Sequence, residues 1–212
     1  MNDHFFKLTL VTNKKNNAIE EYLDFVSLCA KSGITAVQLR EKSLEFNDLL
    51  VFGQQLQSVL KPYSIPLIVN DNIELAYQLD AEGVHLGQSD GDVLNARKKL
   101  GKNKIIGLTI DNPAQLQVAN KLPIDYVGVG AIFPTNNKSN VATIWGCEGL
   151  EKIAPISKHP IIAIGGIDET NAVFVIKAGA HGIAAISAFH DAQDPILATK
   201  ILRNIIEGKH HA

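Results

Sequence analysis

Short β-rich runs alternate with amphipathic segments along the whole chain, and this alternation restricts the fold more than any other feature of the sequence. Strands are expected over 7–12, 35–40, 67–70, 83–86, 105–109, 126–129, 160–164 and 182–186. Between the first two, Ile19, Tyr22, Leu23 and Val26 fall on one helical stripe closed by Gly33; Phe46, Leu49, Leu50, Leu56 and Leu60 form the next. Further helices are expected over 72–79, over 93–100, from near Pro113, over 168–177 and over 195–206, the last with Asp194 as its cap. Eight βα units in 212 residues leave about 26 residues each, near the lower end of the roughly 200-residue size at which a (β/α)8 barrel closes. The expected fold is therefore α/β, a single (β/α)8 TIM barrel over 1–212 with about 208–212 as a disordered tail. An open doubly wound sheet is the competing arrangement. Against it, the first strand lacks a Gly-x-Gly-x-x-Gly turn, and glycines and polar residues collect after many strands instead of at one switch point.

Charge and composition narrow the partners. Twenty Lys and Arg against 22 Asp and Glu leave a formal charge of −2, so no global positive field exists to hold a nucleic acid or an anionic membrane. Any anion site must be local. Cys29 and Cys147 are the only cysteines and lack paired Cys/His spacing, which supports neither a disulfide framework nor a structural zinc site. The first residues show no basic stretch leading into an apolar run, and no run of about 18 apolar residues occurs. A cytoplasmic protein acting on small molecules is expected, with neither nucleic acid nor membrane as partner; a homo-oligomer is compatible with the sequence.

In a barrel, all the strand ends converge on one face. Those ends carry Gln38, Leu39, Arg40, Glu41 and Lys42, then Asn70 and Asp71, then Gln88, Ser89 and Asp90, then Thr109, and then Phe133 to Lys138. Two carboxylates, Asp71 and Asp90, and three cations, Arg40, Lys42 and Lys138, would share one bowl. Oxygen ligands of that kind suit Mg²⁺, while Lys and Arg suit the remaining oxygens of a phosphate-rich substrate. Each residue also has a plainer reading. Asp71 could cap the helix that follows it, Arg40 and Glu41 could form a surface ion pair, His85 could be a packed barrel residue, and His210 and His211 could belong to the tail. A second anion site is suggested by Gly165-Gly166 after strand seven and Ser187 after strand eight, where bare N–H groups would meet a phosphate. Its plainer alternative is a tight junction that needs glycine for conformation alone.

The segments Val37-Gln38-Leu39-Arg40-Glu41-Lys42, Val69-Asn70-Asp71, Gly83-Val84-His85-Leu86-Gly87-Gln88, Asp125-Tyr126-Val127-Gly128-Val129-Gly130, Ile132-Phe133-Pro134-Thr135 and Ala163-Ile164-Gly165-Gly166-Ile167 together resemble the thiamine phosphate synthase family over nearly the whole chain. The resemblance implies a transferase that condenses 4-amino-5-hydroxymethyl-2-methylpyrimidine diphosphate with a thiazole phosphate, often carboxylated, releasing diphosphate. It further implies Mg²⁺ on Asp71 and Asp90. Gln38, Leu39, Arg40, Glu41, Lys42, Asn70, Thr109 and Lys138 would hold the pyrimidine diphosphate, with Arg40, Lys42, Lys138 and Thr109 as the catalytic set. Thr135, Asn137, Gly166, Ile186 and Ser187 would receive the thiazole phosphate, and Asn136 would also bind substrate. One departure stands out: the family pattern Pro-Thr-x-Thr-Lys reads Pro134-Thr135-Asn136-Asn137-Lys138 here, with an amide in place of the second hydroxyl. Two other functions compete. A thiazole tautomerase relative carries a histidine where this chain has Asp111 and lacks the paired aspartates; a non-catalytic thiamine-phosphate-binding barrel would keep the bowl without turnover.

Overall fold

The computed structural model describes residues 6–137 and 143–209. Eight parallel strands, β1 (Leu8–Val11), β2 (Ala36–Leu39), β3 (Leu67–Asn70), β4 (Gly83–Leu86), β5 (Ile105–Ile110), β6 (Tyr126–Val129), β7 (Ile161–Ile164) and β8 (Gly182–Ala185), pair in sequence order. β8 returns to β1, with Thr9 opposite Ala184, so the sheet closes and the doubly wound alternative is excluded. Around the strands lie α1 (Ile19–Ser32), α2 (Phe46–Leu60), α3 (Ile73–Gln78), α4 (Val93–Leu100), α5 (Pro113–Ala119), α6 (Gly146–Ile153), α7 (Ala172–Lys177), α8 (Ser187–His190) and α9 (Pro195–Ile206). No helix among the described residues is long and apolar enough to cross a membrane.

Strand alternation divides the core in two. Outward residues such as Leu8, Leu10, Val37, Leu39, Val84, Leu86, Val127 and Val129 meet the buried stripes of the helices, including Tyr22 and Val26 of α1 and Phe52 and Leu56 of α2. Inward residues Ile68, Ile105, Tyr126, Ile162 and Ala184 join Phe6 to fill the barrel lumen. The lumen is thus largely an apolar floor, and the polar strand ends lie above it.

Several boundaries differ from those the periodicity predicts. The helix expected over 168–177 begins at Ala172. Asp168 draws the preceding residues into a side-chain turn, its Oδ1 accepting from Thr170 N at 2.9 Å and Thr170 Oγ1 at 2.6 Å, and that bonding competes with the helix. α6 and α8 were not expected: two glycines weaken the propensity of α6, and α8 has too few residues to show a period. Asp194 caps α9 as expected, accepting from Ile196 N and Leu197 N at 3.0 Å. Of the expected tail, Gly208 and Lys209 hydrogen-bond back to Ile205 O and Asn204 O. His210 and His211 lie outside the described residues.

Candidate active site

At the carboxyl ends of the strands lies a cavity of about 440 Å³. Gln38, Asn70, His85 and Thr109 stand at the inward positions that close its lower end, one layer above the apolar floor. His85 is both readings at once, a packed barrel residue and part of the cavity wall. Its Nδ1 lies 2.9 Å from Tyr126 Oη and its Nε2 2.7 Å from Thr109 Oγ1, and its ring stacks on Tyr126. Glycines make room for it: a Cβ on Gly107 would fall 2.5 Å from His85 Nδ1, and one on Gly128 2.8 Å from Cε1. Thr109 is held at both ends, because Gln88 Nε2 also donates to its carbonyl at 2.5 Å.

One wall carries the charges. Arg40, Lys42, Asp71 and Asp90 all line it, together with Gln88, Ser89 and Asp111. Asp71 does not cap α3; Asn72 does, its Oδ1 accepting from Leu75 N at 2.9 Å. Asp71 instead sits at φ 64, a strained backbone for a non-glycine residue, while its N–H donates to His85 O at 2.7 Å. Its carboxyl lies near enough to Asp90 for the two to interact electrostatically. Burial first, then the adjacent Asp90, pushes Asp71 up to about 6 against the pull of Arg40 and Lys42. Asp90 is itself fixed, Oδ2 by Gly87 N at 2.9 Å and Oδ1 by Ser89 Oγ at 3.3 Å. Two neighbouring carboxyls resist joint ionisation, and a divalent cation between them would relieve that cost. No group of three or more His, Cys, Asp or Glu is placed to hold a metal ion among the described residues, so a cation here would draw its other ligands from water and substrate oxygens, as Mg²⁺ commonly does.

The opposite wall is built from main chain. Gly165 and Gly166 have φ 100 and 66, and a Cβ on Gly166 would lie 2.7 Å from Pro134 O and 2.8 Å from Phe133 Cβ. Conformation and close approach both require glycine here, so the plainer reading of the pair holds; the same geometry leaves the cavity wall free of side-chain bulk. Ile186 and Ser187 line the cavity beside them, as do Thr135 and Asn137. Asn137 N donates to Thr135 Oγ1 at 3.3 Å, and Asn137 O accepts from Arg40 Nη2 at 3.3 Å, which ties the two walls together.

Not every expected residue reaches the cavity. Leu39 does not line it: alternation sends the side chain outward, where its Cδ2 approaches Gly53 of α2. Glu41 also turns away, accepting from Lys14 N at 2.8 Å instead of pairing with Arg40. Asn136 is exposed and outside the lining, and Lys138 lies outside the described residues. Val11, His85 and Asp111 also line the cavity without an expected substrate or metal role, and Gln88, expected there as a strand-end residue only, does so as well. For His85 a signal existed in the sequence, since Val84 and Leu86 on either side fix its inward direction.

A family model described as thiamine monophosphate synthase matches residues 8–189. Thiamine-phosphate synthases of Chlamydia caviae and Chlamydia abortus are 56% and 55% identical over 207 residues, covering 98% of this chain and 98% of each relative. The solved structure of a thiamine phosphate pyrophosphorylase from Pyrococcus furiosus superposes with a TM-score of 0.87 at 34% identity, covering 97% of this chain and 98% of that one. The family match spans the strands that bring Asp71 to Asp90 and Gly166 to Ser187, and the chain belongs to the thiamine monophosphate synthase family.

Proposed function

We propose that this chain is a transferase of thiamine biosynthesis that joins 4-amino-5-hydroxymethyl-2-methylpyrimidine diphosphate to a thiazole phosphate, giving thiamine phosphate and diphosphate. The observation that carries the reading is one cavity with two unlike walls, Asp71, Asp90, Arg40 and Lys42 on one and Gly166 and Ser187 on the other. A diphosphate with its cation fits the first and a phosphate monoester fits the second. The neighbouring carboxyls of Asp71 and Asp90 on one cavity wall fit Mg²⁺, which when bound would neutralise charge on the departing diphosphate.

The work of the chain's own residues follows. Arg40 and Lys42 hold diphosphate oxygens as the methylene C–O bond breaks, joined by Lys138. Gln38 and Asn70 hold the aminopyrimidine, whose electron-rich ring spreads the positive charge left on the methylene carbon. Thr109, its hydroxyl fixed by His85 and its carbonyl by Gln88, borders the same ring. The thiazole nitrogen then donates its lone pair to form the N–C bond, so no strong protein base is needed. Ionisation and positioning carry the rate. The tautomerase alternative is disfavoured by Asp111, which lines the cavity where that relative has histidine, and by the aspartate pair.

Diphosphate release is the test. It should require both substrates and Mg²⁺ and should match thiamine phosphate formed one for one. Release without the thiazole would make the chain a hydrolase. Tight binding of thiamine phosphate with no release would make it a binding barrel.

A further inference from the structure

Two ring side chains that the reaction does not touch are joined at the seam where the barrel closes. Tyr22 of α1 is 1% exposed, and its hydroxyl lies 2.7 Å from Nε2 of His190, the last residue of α8, on which it also stacks. The same hydroxyl accepts from Asn13 N at 3.0 Å, and His190 Nδ1 lies 2.7 Å from Ile186 O. A carbonyl can only accept, so Nδ1 carries the proton; Nε2 is then the acceptor, and the tyrosine donates. The order Asn13 N–H to Tyr22 to His190 to Ile186 C=O is thereby fixed. Burial holds His190 below the ordinary imidazole pKa and keeps it in this neutral form.

Ile186 O also accepts from Phe189 N and His190 N at 3.1 Å, so the imidazole completes a fixed peptide plane. Because a trans peptide is planar, holding the Ile186 carbonyl toward α8 aims the Ser187 N–H the opposite way. At the other end, Asn13 follows Thr12, whose Oγ1 accepts from Arg40 N at 2.8 Å, and precedes Lys14, whose N–H donates to Glu41. The segment after β1 therefore links the charged wall to the main-chain wall.

We propose that Tyr22 and His190 are positioning residues that fix the Ile186–Ser187 peptide for the phosphate of the thiazole substrate. The assignment rests on the placement of that phosphate at Gly166 and Ser187 given above. Packing and positioning predict opposite orders for two substitutions. His190→Phe keeps the ring and removes the hydrogen bonds, whereas His190→Asn loses the ring but retains an N–H donor near the Nδ1 position.

Positioning predicts that His190→Phe raises KM for the thiazole phosphate about tenfold, with KM for the pyrimidine diphosphate unchanged, and that His190→Asn stays within about threefold of the parent. Tyr22→Phe should shift the same KM in the same direction, and thermal melts of all three variants establish that they fold. A His190→Phe enzyme with parental KM, or one with both KM values raised together, overturns the proposal. Gly166→Ala separates its failure from that of the underlying reading. If Gly166→Ala raises the thiazole KM and His190→Phe does not, the positioning role alone is wrong; if neither does, the phosphate is not held there and both readings fall.

Discussion

The two walls of the bowl are made of different material. Above β2 to β4 the cavity is bounded by charged side chains, and Asp71 and Asp90 lie close enough for each charge to be felt by the other. Above β7 and β8 it is bounded by main chain at Gly165, Gly166 and Ser187, with ring residues behind it. On one wall the charge is carried by side chains, of which Asp90 also anchors the Gly87 N–H. On the other, function and conformation are inseparable, because Gly166 has φ 66 and no space for a Cβ.

The largest effect should come from the charged wall. Asp71→Asn and Asp90→Asn each remove a negative charge from the proposed cation site and should lower kcat/KM by about 10³-fold at low Mg²⁺, with the thermal midpoint little changed. Near-parental kinetics in both variants, measured across a Mg²⁺ titration, would remove the cation from that wall. Lys138→Ala comes next, with kcat falling about 10²-fold in single-turnover experiments if the ammonium acts on the charge that develops as diphosphate leaves. A raised KM with an unchanged chemical step would make it a ground-state contact only.

On the main-chain wall, Gly166→Ala should raise KM for the thiazole phosphate about tenfold while sparing the pyrimidine diphosphate, because the added Cβ forces the 133–134 main chain to shift. Equal effects on both substrates would erase the distinction between the walls. Asn137→Thr should change the ratio of kcat/KM values for carboxylated and plain thiazole phosphate by about threefold. Since Asn137 is anchored through its own N–H and carbonyl, the exchange tests the side chain; an unaltered ratio would show that it does not read the carboxyl group.

The smallest effect concerns pH. His190 has its pKa lowered by burial, with Ile186 O and Asp191 raising it and Lys15 lowering it further. The unfolded chain then binds the proton more readily, so this contribution to stability is intact above about 6.5 and is lost as pH falls from there toward the folded pKa. Relative to His190→Phe, the parent should lose thermal stability over that interval. Parallel melting curves for the two proteins from pH 7 to 5 would contradict a neutral, buried imidazole.

Local patterns made much of this legible. Strands 67–70, 83–86 and 126–129 and helices 93–100 and 195–206 fall where periodicity and caps place them, because those signals are exchanged among residues a few positions apart. The strand-end rule likewise brought Arg40, Lys42, Asn70, Asp71, Asp90 and Thr109 to one cavity. It could not sort their neighbours. Leu39 and Glu41 belong to the same strand end, yet one faces α2 and the other bonds Lys14. Direction there depends on alternation and on which loop lies beside it.

The sequence by itself determined a repeating βα chain whose polar strand ends must meet if the sheet closes. Tertiary structure alone decided that Asp71 leaves the capping of α3 to Asn72 and turns to Asp90, that His85 fits between Gly107 and Gly128, and that Tyr22 reaches His190. Tyr22 and His190 are 168 positions apart. Nothing in local propensity encodes such a pair, because its two halves become neighbours only when β8 pairs with β1 and α8 is brought against α1.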